Sequence, residues 1–212
     1  MITPKGQSIE DRSMQIIESE IGQHSYSPEE WTIVKRVIHS TADFDFARAN
    51  KIIFHGKAIE SGTEALKGGC NIVVDVNGII GLLNKDNPTK FGNRVLCNIS
   101  DPEVVSQAKI LNKTRAQTAM RLATKEIDGA IVAIGNAPTA LQEVIQMSKE
   151  GVTRPALVIG IPVGFVCAAE SKEELGATQI PHITNVGRKG GSSCASAIIN
   201  ALYIILKQKL SP

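Results

Sequence analysis

No stretch of this chain is apolar for long enough to cross a bilayer. The longest candidate, Ile198–Leu206, is broken by Asn200, and a spanning helix needs roughly 20 apolar residues. The start, Met1-Ile-Thr-Pro-Lys-Gly6, lacks the apolar segment and small-residue cleavage site of a secretory signal, so a cytoplasmic protein without a membrane partner is expected. Cysteine is scarce. Cys70, Cys97, Cys167 and Cys194 are widely separated, with no CxxC pair and no neighbouring histidine. That spacing argues against a zinc site or a disulfide framework and predicts reduced, mostly buried thiols. One tryptophan, two tyrosines and a formal charge of +2 give neither the stacking platform nor the basic stripe that nucleic-acid binding requires. Also missing are a GxxxxGK[ST] loop and a GxGxxG turn after the first strand, which disfavours a nucleotide-binding enzyme.

What is present is an alternation. Apolar, β-branched runs at Lys51–Phe54, Asn71–Val74, Arg94–Ile99, Ala130–Ile134, Ala156–Ile161 and Ile180–Asn185 predict strands. Helical patterns separate them, at Ile9–Ile21, Pro28–His39, Ile59–Lys67, Asn77–Leu83, Pro102–Lys109, Arg115–Glu126, Ala137–Glu150, Ser171–Leu175 and Ser192–Lys207. The pattern predicts an α/β fold: a single domain over residues 1–212 with a mostly parallel sheet covered by helices on both faces. Ser27-Pro28-Glu29-Glu30 places an N-cap, a proline at the first helical position and carboxylates in the first turn. Asn84–Gly92 is the most loop-like stretch.

His39 closes one of these helices, as Arg36-Val-Ile-His39, ahead of the turn-prone run Ser40-Thr41-Ala42-Asp43. An imidazole, with an unperturbed pKa of about 6.5, is suited to proton transfer at neutral pH. A helix C-terminus favours its protonated form, so His39 is the leading candidate acid. The alternative is that it only caps the last carbonyls. Three glycine-bearing segments should lie beyond the carboxyl ends of strands, where ligands collect in open parallel sheets. They are Gly135-Asn136-Ala137-Pro138, Gly160-Ile-Pro-Val-Gly164-Phe-Val166, and Gly187-Arg188-Lys189-Gly190-Gly191-Ser192. The last has the composition of an anion cradle, and the three together describe a ring of amides around one crevice. Taken singly, each is an ordinary turn and helix start.

The strings Ala133-Ile-Gly-Asn-Ala-Pro-Thr-Ala-Leu141, Gly160–Val166 and Ala168-Ala-Glu-Ser-Lys172 resemble the precorrin-8X methylmutase family, including its cobalt-precorrin-8 members. Arg12-Ser13, Arg36-Val-Ile-His39 and Thr114-Arg115 follow the family order, so the likeness covers nearly the whole chain. It is looser at Ser40–Asp45 and at Asp75–Gly81, where some members carry an acidic residue near the position of Asn77. The resemblance implies an isomerase of cobalamin biosynthesis that moves a methyl group from carbon 11 to carbon 12 of a contracted corrinoid ring. Its product is hydrogenobyrinate, or cobyrinate when cobalt is present. It further implies His39 as general acid, with Ser13, Arg36 and Arg115 at substrate-contacting positions. Gly135, Asn136, Gly164, Arg188, Gly190, Gly191 and Ser192 complete the expected substrate-binding set. Ser13 also reads as a surface helix serine, and Arg36 as an ion-paired arginine.

No protein-bound metal or cofactor is expected, because any cobalt would arrive inside the substrate. A homodimer is expected, with Ser192–Lys207 as either a candidate interface or, equally, a core helix, and so is handover to neighbouring enzymes of the pathway. His24, His55 and His182 read as structural or surface residues. A corrinoid carrier without turnover is the rival reading, since tight binding and catalysis use the same donors.

Overall fold

The structure is a computed structural model describing residues 3–49 and 51–211. Met1 and Ile2, where the N-terminal reading begins, lie outside the described residues. Two helices open the chain. The first, α1 (Pro4–Ile21), starts earlier than its apolar pattern because Thr3 caps it through the Gly6 amide. The second, α2 (Pro28–Thr41), begins in a full capping box: Ser27 accepts from the Glu30 amide, and Glu30 accepts from the Ser27 amide at 2.8 Å. There follow β1 (Ile52–His55), α3 (Ala58–Lys67), β2 (Ile72–Val74), α4 (Asn77–Leu82), α5 (Asp86–Phe91) and β3 (Val95–Leu96). Next come α6 (Pro102–Ile110), α7 (Arg115–Leu122), α8 (Thr124–Ile127), β4 (Ile131–Ile134) and α9 (Pro138–Lys149). The chain ends with β5 (Leu157–Gly160), α10 (Ala168–Gly176), β6 (His182–Asn185) and α11 (Ser192–Leu210).

The six strands form one sheet in the order β1-β6-β5-β4-β2-β3. Every pairing is parallel except that of β1, which runs antiparallel to β6 with Ile52 opposite Asn185. Side chains alternate across it as a pleated strand demands. Ile131, Ala133, Leu157 and Ile159 face α2, α3 and α11, whereas Val132, Ile134 and Val158 face α7, α9 and α10. Both faces are thus covered, and the strands read as continuous apolar runs. Among the described residues no helix is long and apolar enough to cross a membrane.

Three expectations are corrected. Asn84–Gly92 contains α5, pinned from outside: Lys207 bonds Asn87, and Phe91 stacks on Tyr203 at 5.7 Å between ring centroids. The expected helix Arg115–Glu126 is two pieces, broken at Ala123. The thiols are not mostly buried, since Cys167 is exposed, Cys70 and Cys97 are half-buried and only Cys194 is buried. For α11 the structure shows the core alternative that the sequence left open beside an interface. Ile198, Ile199, Leu202 and Tyr203 are wholly enclosed, and the helix is the spine of the larger core.

Candidate functional site

The sheet order reverses between β2 and β4, since β3 lies on one side of β2 and β4 on the other. At such a switch point the amides after the strands ordinarily hold an anionic ligand. Here the position is filled from within. Asp75, fully buried directly after β2, accepts from the amide of Gly135 at 3.0 Å, of Asn136 at 2.9 Å and of Ala137 at 2.7 Å. Both carboxylate oxygens accept, the pattern of an ionised group, although burial, outweighing the three amides, pushes its pKa above the ordinary carboxylate range. The expected ring of ligand-facing amides is corrected accordingly. Gly135 and Asn136 spend their amides on Asp75, Gly164 donates to the Arg188 carbonyl at 3.1 Å, and Gly191 donates to the Ile161 carbonyl at 3.0 Å.

Two of these glycines serve close packing. A Cβ on Gly135 would lie 3.0 Å from the backbone of Gly191 and Ser192, and one on Gly190 would lie 2.2 Å from the Ile161 carbonyl oxygen. Backbone cannot yield as a side chain can. Gly190→Ala is therefore expected to cost about 1–3 kcal/mol. Thermal denaturation should show a melting temperature lower by about 5 °C; an unchanged value would contradict the packing role.

His39 lies at the same edge of the sheet, on the α2 and α11 side. It sits between two depressions. One, of about 220 Å³, is bordered by Arg36, Ser40, Leu82, Ser193 and Asn200; the other, of about 290 Å³, by Ser13, Ile16, Ile38 and Phe44. The imidazole is exposed. It does not cap the helix, because that work is done by its neighbours. The Thr41 hydroxyl donates to the Val37 carbonyl at 2.8 Å, and the amide of Ala42, in a left-handed conformation, donates to the Ile38 carbonyl at 2.7 Å. His39 itself has no hydrogen-bond partner among the described residues.

The structure brings Ser13, Arg36 and His39 together and leaves Arg115 apart. Ser13 is half-buried, its hydroxyl donating to the Ile9 carbonyl of its own helix at 2.9 Å. Arg36 forms an ion pair with Glu10 at 2.5 Å while still bordering the first depression. Arg115 is exposed at the start of α7, which packs on the opposite face of the sheet. The segment after His39 is tied to the glycine-rich loop before α11: Lys189 meets Asp43 and Asp45, each at 2.7 Å, and Ser40 reaches the Ser193 carbonyl. Those carboxylates hold Lys189 above the ordinary lysine range, so its charge is already matched. Arg188 beside it is exposed, its guanidinium 5.9 Å from the ring of Phe165. Ser192 is half-buried beneath Gly78 and Gly135.

The other histidines stand away from this edge or on the surface. His24 packs against Trp31 with the rings tilted, and His55 lies flat against His182 at 4.7 Å. Residues that sequence reasoning passed over include Asp75, Lys189 with its two aspartates, and Asn200, which joins α11 to α4 through the Leu82 carbonyl. A carboxylate immediately after a buried strand was the available signal for Asp75.

The molecule is thus a mostly parallel α/β sheet whose central crevice is occupied by its own carboxylate, with a histidine and an exposed arginine loop beside it. The precorrin-8X methylmutase family profile matches residues 8–205. The chain is 48% identical over 204 residues to the cobalt-precorrin-8 methylmutase of Priestia megaterium, covering 96% of this chain and 90% of that one. It is 35% identical over 200 residues to the precorrin-8X methylmutase of a Sinorhizobium species, covering 93% of each. The crystal structure of the Thermus thermophilus precorrin-8X methylmutase superposes with a TM-score of 0.89 at 41% identity, over 96% of this chain and 98% of that one. The chain belongs to the precorrin-8X methylmutase family; it is an isomerase, a methylmutase of cobalamin biosynthesis.

Proposed function

We propose that the protein moves a methyl group from carbon 11 to carbon 12 of cobalt-precorrin-8 or metal-free precorrin-8X, giving cobyrinate or hydrogenobyrinate. The observation that carries the reading is His39, exposed between two depressions at the carboxyl edge with no internal hydrogen bond to occupy its ring. Its proton is lent to the macrocycle as the methyl shifts and is returned afterwards, so substrate and product are isomers. General acid help of this kind is worth about 10²–10⁴ in rate.

Arg36 and Ser13 border the two depressions, and Arg188 projects from the neighbouring loop. A substrate rimmed with carboxylates suits them, because a guanidinium binds a carboxylate through two parallel hydrogen bonds. Gly190, Gly191 and Ser192 shape the loop that carries Arg188. Arg115 meets a peripheral carboxylate from across the edge. The protein supplies no cofactor, and any cobalt travels within the substrate. Each depression is too small and open to enclose a macrocycle, and exposed Ile16 and Leu82 border them. A second chain supplies the missing wall in a homodimer, and the product passes to the next enzyme of the pathway.

Purified protein incubated with each form of the substrate should change its visible spectrum to that of the corresponding product, with light scattering giving twice the chain mass. A bound pigment left unchanged would favour a carrier, and a monomer at assay concentration would overturn the shared wall.

A further inference from the structure

The motif Ala168-Ala-Glu-Ser-Lys172 ends in a lysine that is only 3% exposed on α10. Its ammonium donates to two backbone carbonyls of the loop before α11, that of Gly187 at 2.8 Å and that of Lys189 at 2.6 Å. No carboxylate pairs with it among the described residues. Asn185 reinforces the same pull, donating to the carbonyls of Val186 and Lys189, each at 3.0 Å. Among the described residues no peptide bond is cis. In a trans peptide the amide points opposite to its carbonyl. Carbonyls of Gly187 and Lys189 turned inward therefore turn the amides of Arg188 and Gly190 outward. Neither amide has an acceptor among the described residues.

A buried cation without an anion is costly, and a neutral donor such as Asn185 holds a carbonyl without that cost. Burial lowers the Lys172 pKa to about 8, which registers the same penalty. What an ammonium adds to the neutral alternative is positive charge directly behind a loop whose front carries two unpaired amides and an exposed guanidinium. The nearby Cys194 thiol, pushed by burial to about 12, brings no compensating charge at neutral pH. Asp43 and Asp45 are already matched by Lys189.

We propose that Lys172 is a positioning residue for substrate binding: it holds the Gly187–Gly190 loop so that Arg188 and the outward amides receive one carboxylate of the substrate's rim. This rests on the corrinoid reading above and adds a residue to it that never touches the ligand.

Lys172→Met keeps the volume and removes the donors. It should raise KM for the corrinoid about tenfold and leave kcat within about twofold, the signature of lost uniform binding. Arg188→Ala should do the same. Because both act through one loop, the double variant should be no worse than the weaker-binding single variant. Lys172→Gln, which retains one donor, should recover part of the loss, and it replaces the methionine variant if circular dichroism shows that variant unfolded. An unchanged KM, effects that add in the double variant, or a fall in kcat alone would overturn the proposal. Failure of the parent protein to turn over either form of the substrate would instead overturn the corrinoid reading, and with it the site that Lys172 is said to serve.

Discussion

His39→Ala is expected to lower kcat for the methyl shift by about 10²–10⁴-fold while changing affinity for the substrate or product by less than about threefold. The large loss follows from chemistry and the small one from location. The imidazole is exposed, belongs to neither apolar cluster and caps nothing, so its removal leaves the fold and the walls of both depressions in place. Stability should stay within about 0.5 kcal/mol of the parent. Single-turnover spectroscopy with saturating enzyme separates binding from rearrangement. A variant that rearranges the corrinoid at the parent rate would show that the proton comes from elsewhere, and one that no longer binds it would make His39 a contact and not an acid.

The second large effect is on stability. Asp75→Ala removes the acceptor of three amides, the one on Gly135 in a buried setting. Hydrogen bonds to a charged group contribute about 1.5–3 kcal/mol each. Relief of the buried carboxylate's desolvation offsets part of that sum. The net loss should be about 3 kcal/mol, or a fall in melting temperature of about 6–12 °C for a chain of this size. Asp75→Asn should fall between, because its oxygen can keep the bonds to Asn136 and Ala137 that Oδ2 makes, leaving only Gly135 facing a second donor. Millimolar formate should restore part of the alanine variant's stability and leave the parent unchanged, since only the variant has room for a small anion on those amides. Equal melting temperatures for all three proteins would show that the amides find other acceptors and that Asp75 is not their anchor.

The contrast between His39 and Asp75 shows what a single chain discloses. Ser27-Pro28-Glu29-Glu30 announces the start of α2 because a capping box is written within four residues, and Ile131–Ile134 announces a doubly covered strand because burial on both faces leaves no polar position. The family strings carried the chemistry as far as His39. Pairings across long separations left no such mark. Asp75 finds its partners 60 to 62 residues away, and Lys172 finds its carbonyls 15 and 17 residues away in a loop whose composition already reads as a cradle. Glycine was the misleading signal. At Gly135 and Gly190 it admits neighbouring backbone, a role that composition does not distinguish from admitting a ligand. The helix α5 was hidden because Asn, Asp and Pro read as a loop locally, and only its contacts with Lys207 and Tyr203 make it a helix.

One reversed strand accounts for the company that His39 keeps. Had β1 run with the others, the chain would have entered it from the far side of the sheet, and α2 would have delivered its opening turn, not its last, to this edge. Running against β6, β1 is entered where its neighbours are left. The helix that follows β4 brings its electropositive pole to this rim, where Asp75 answers it, and α2 brings its last turn there, beside the start of α11. One antiparallel pairing is thus what sets the last turn of α2, with the imidazole proposed as the acid, on the rim where the other strands end.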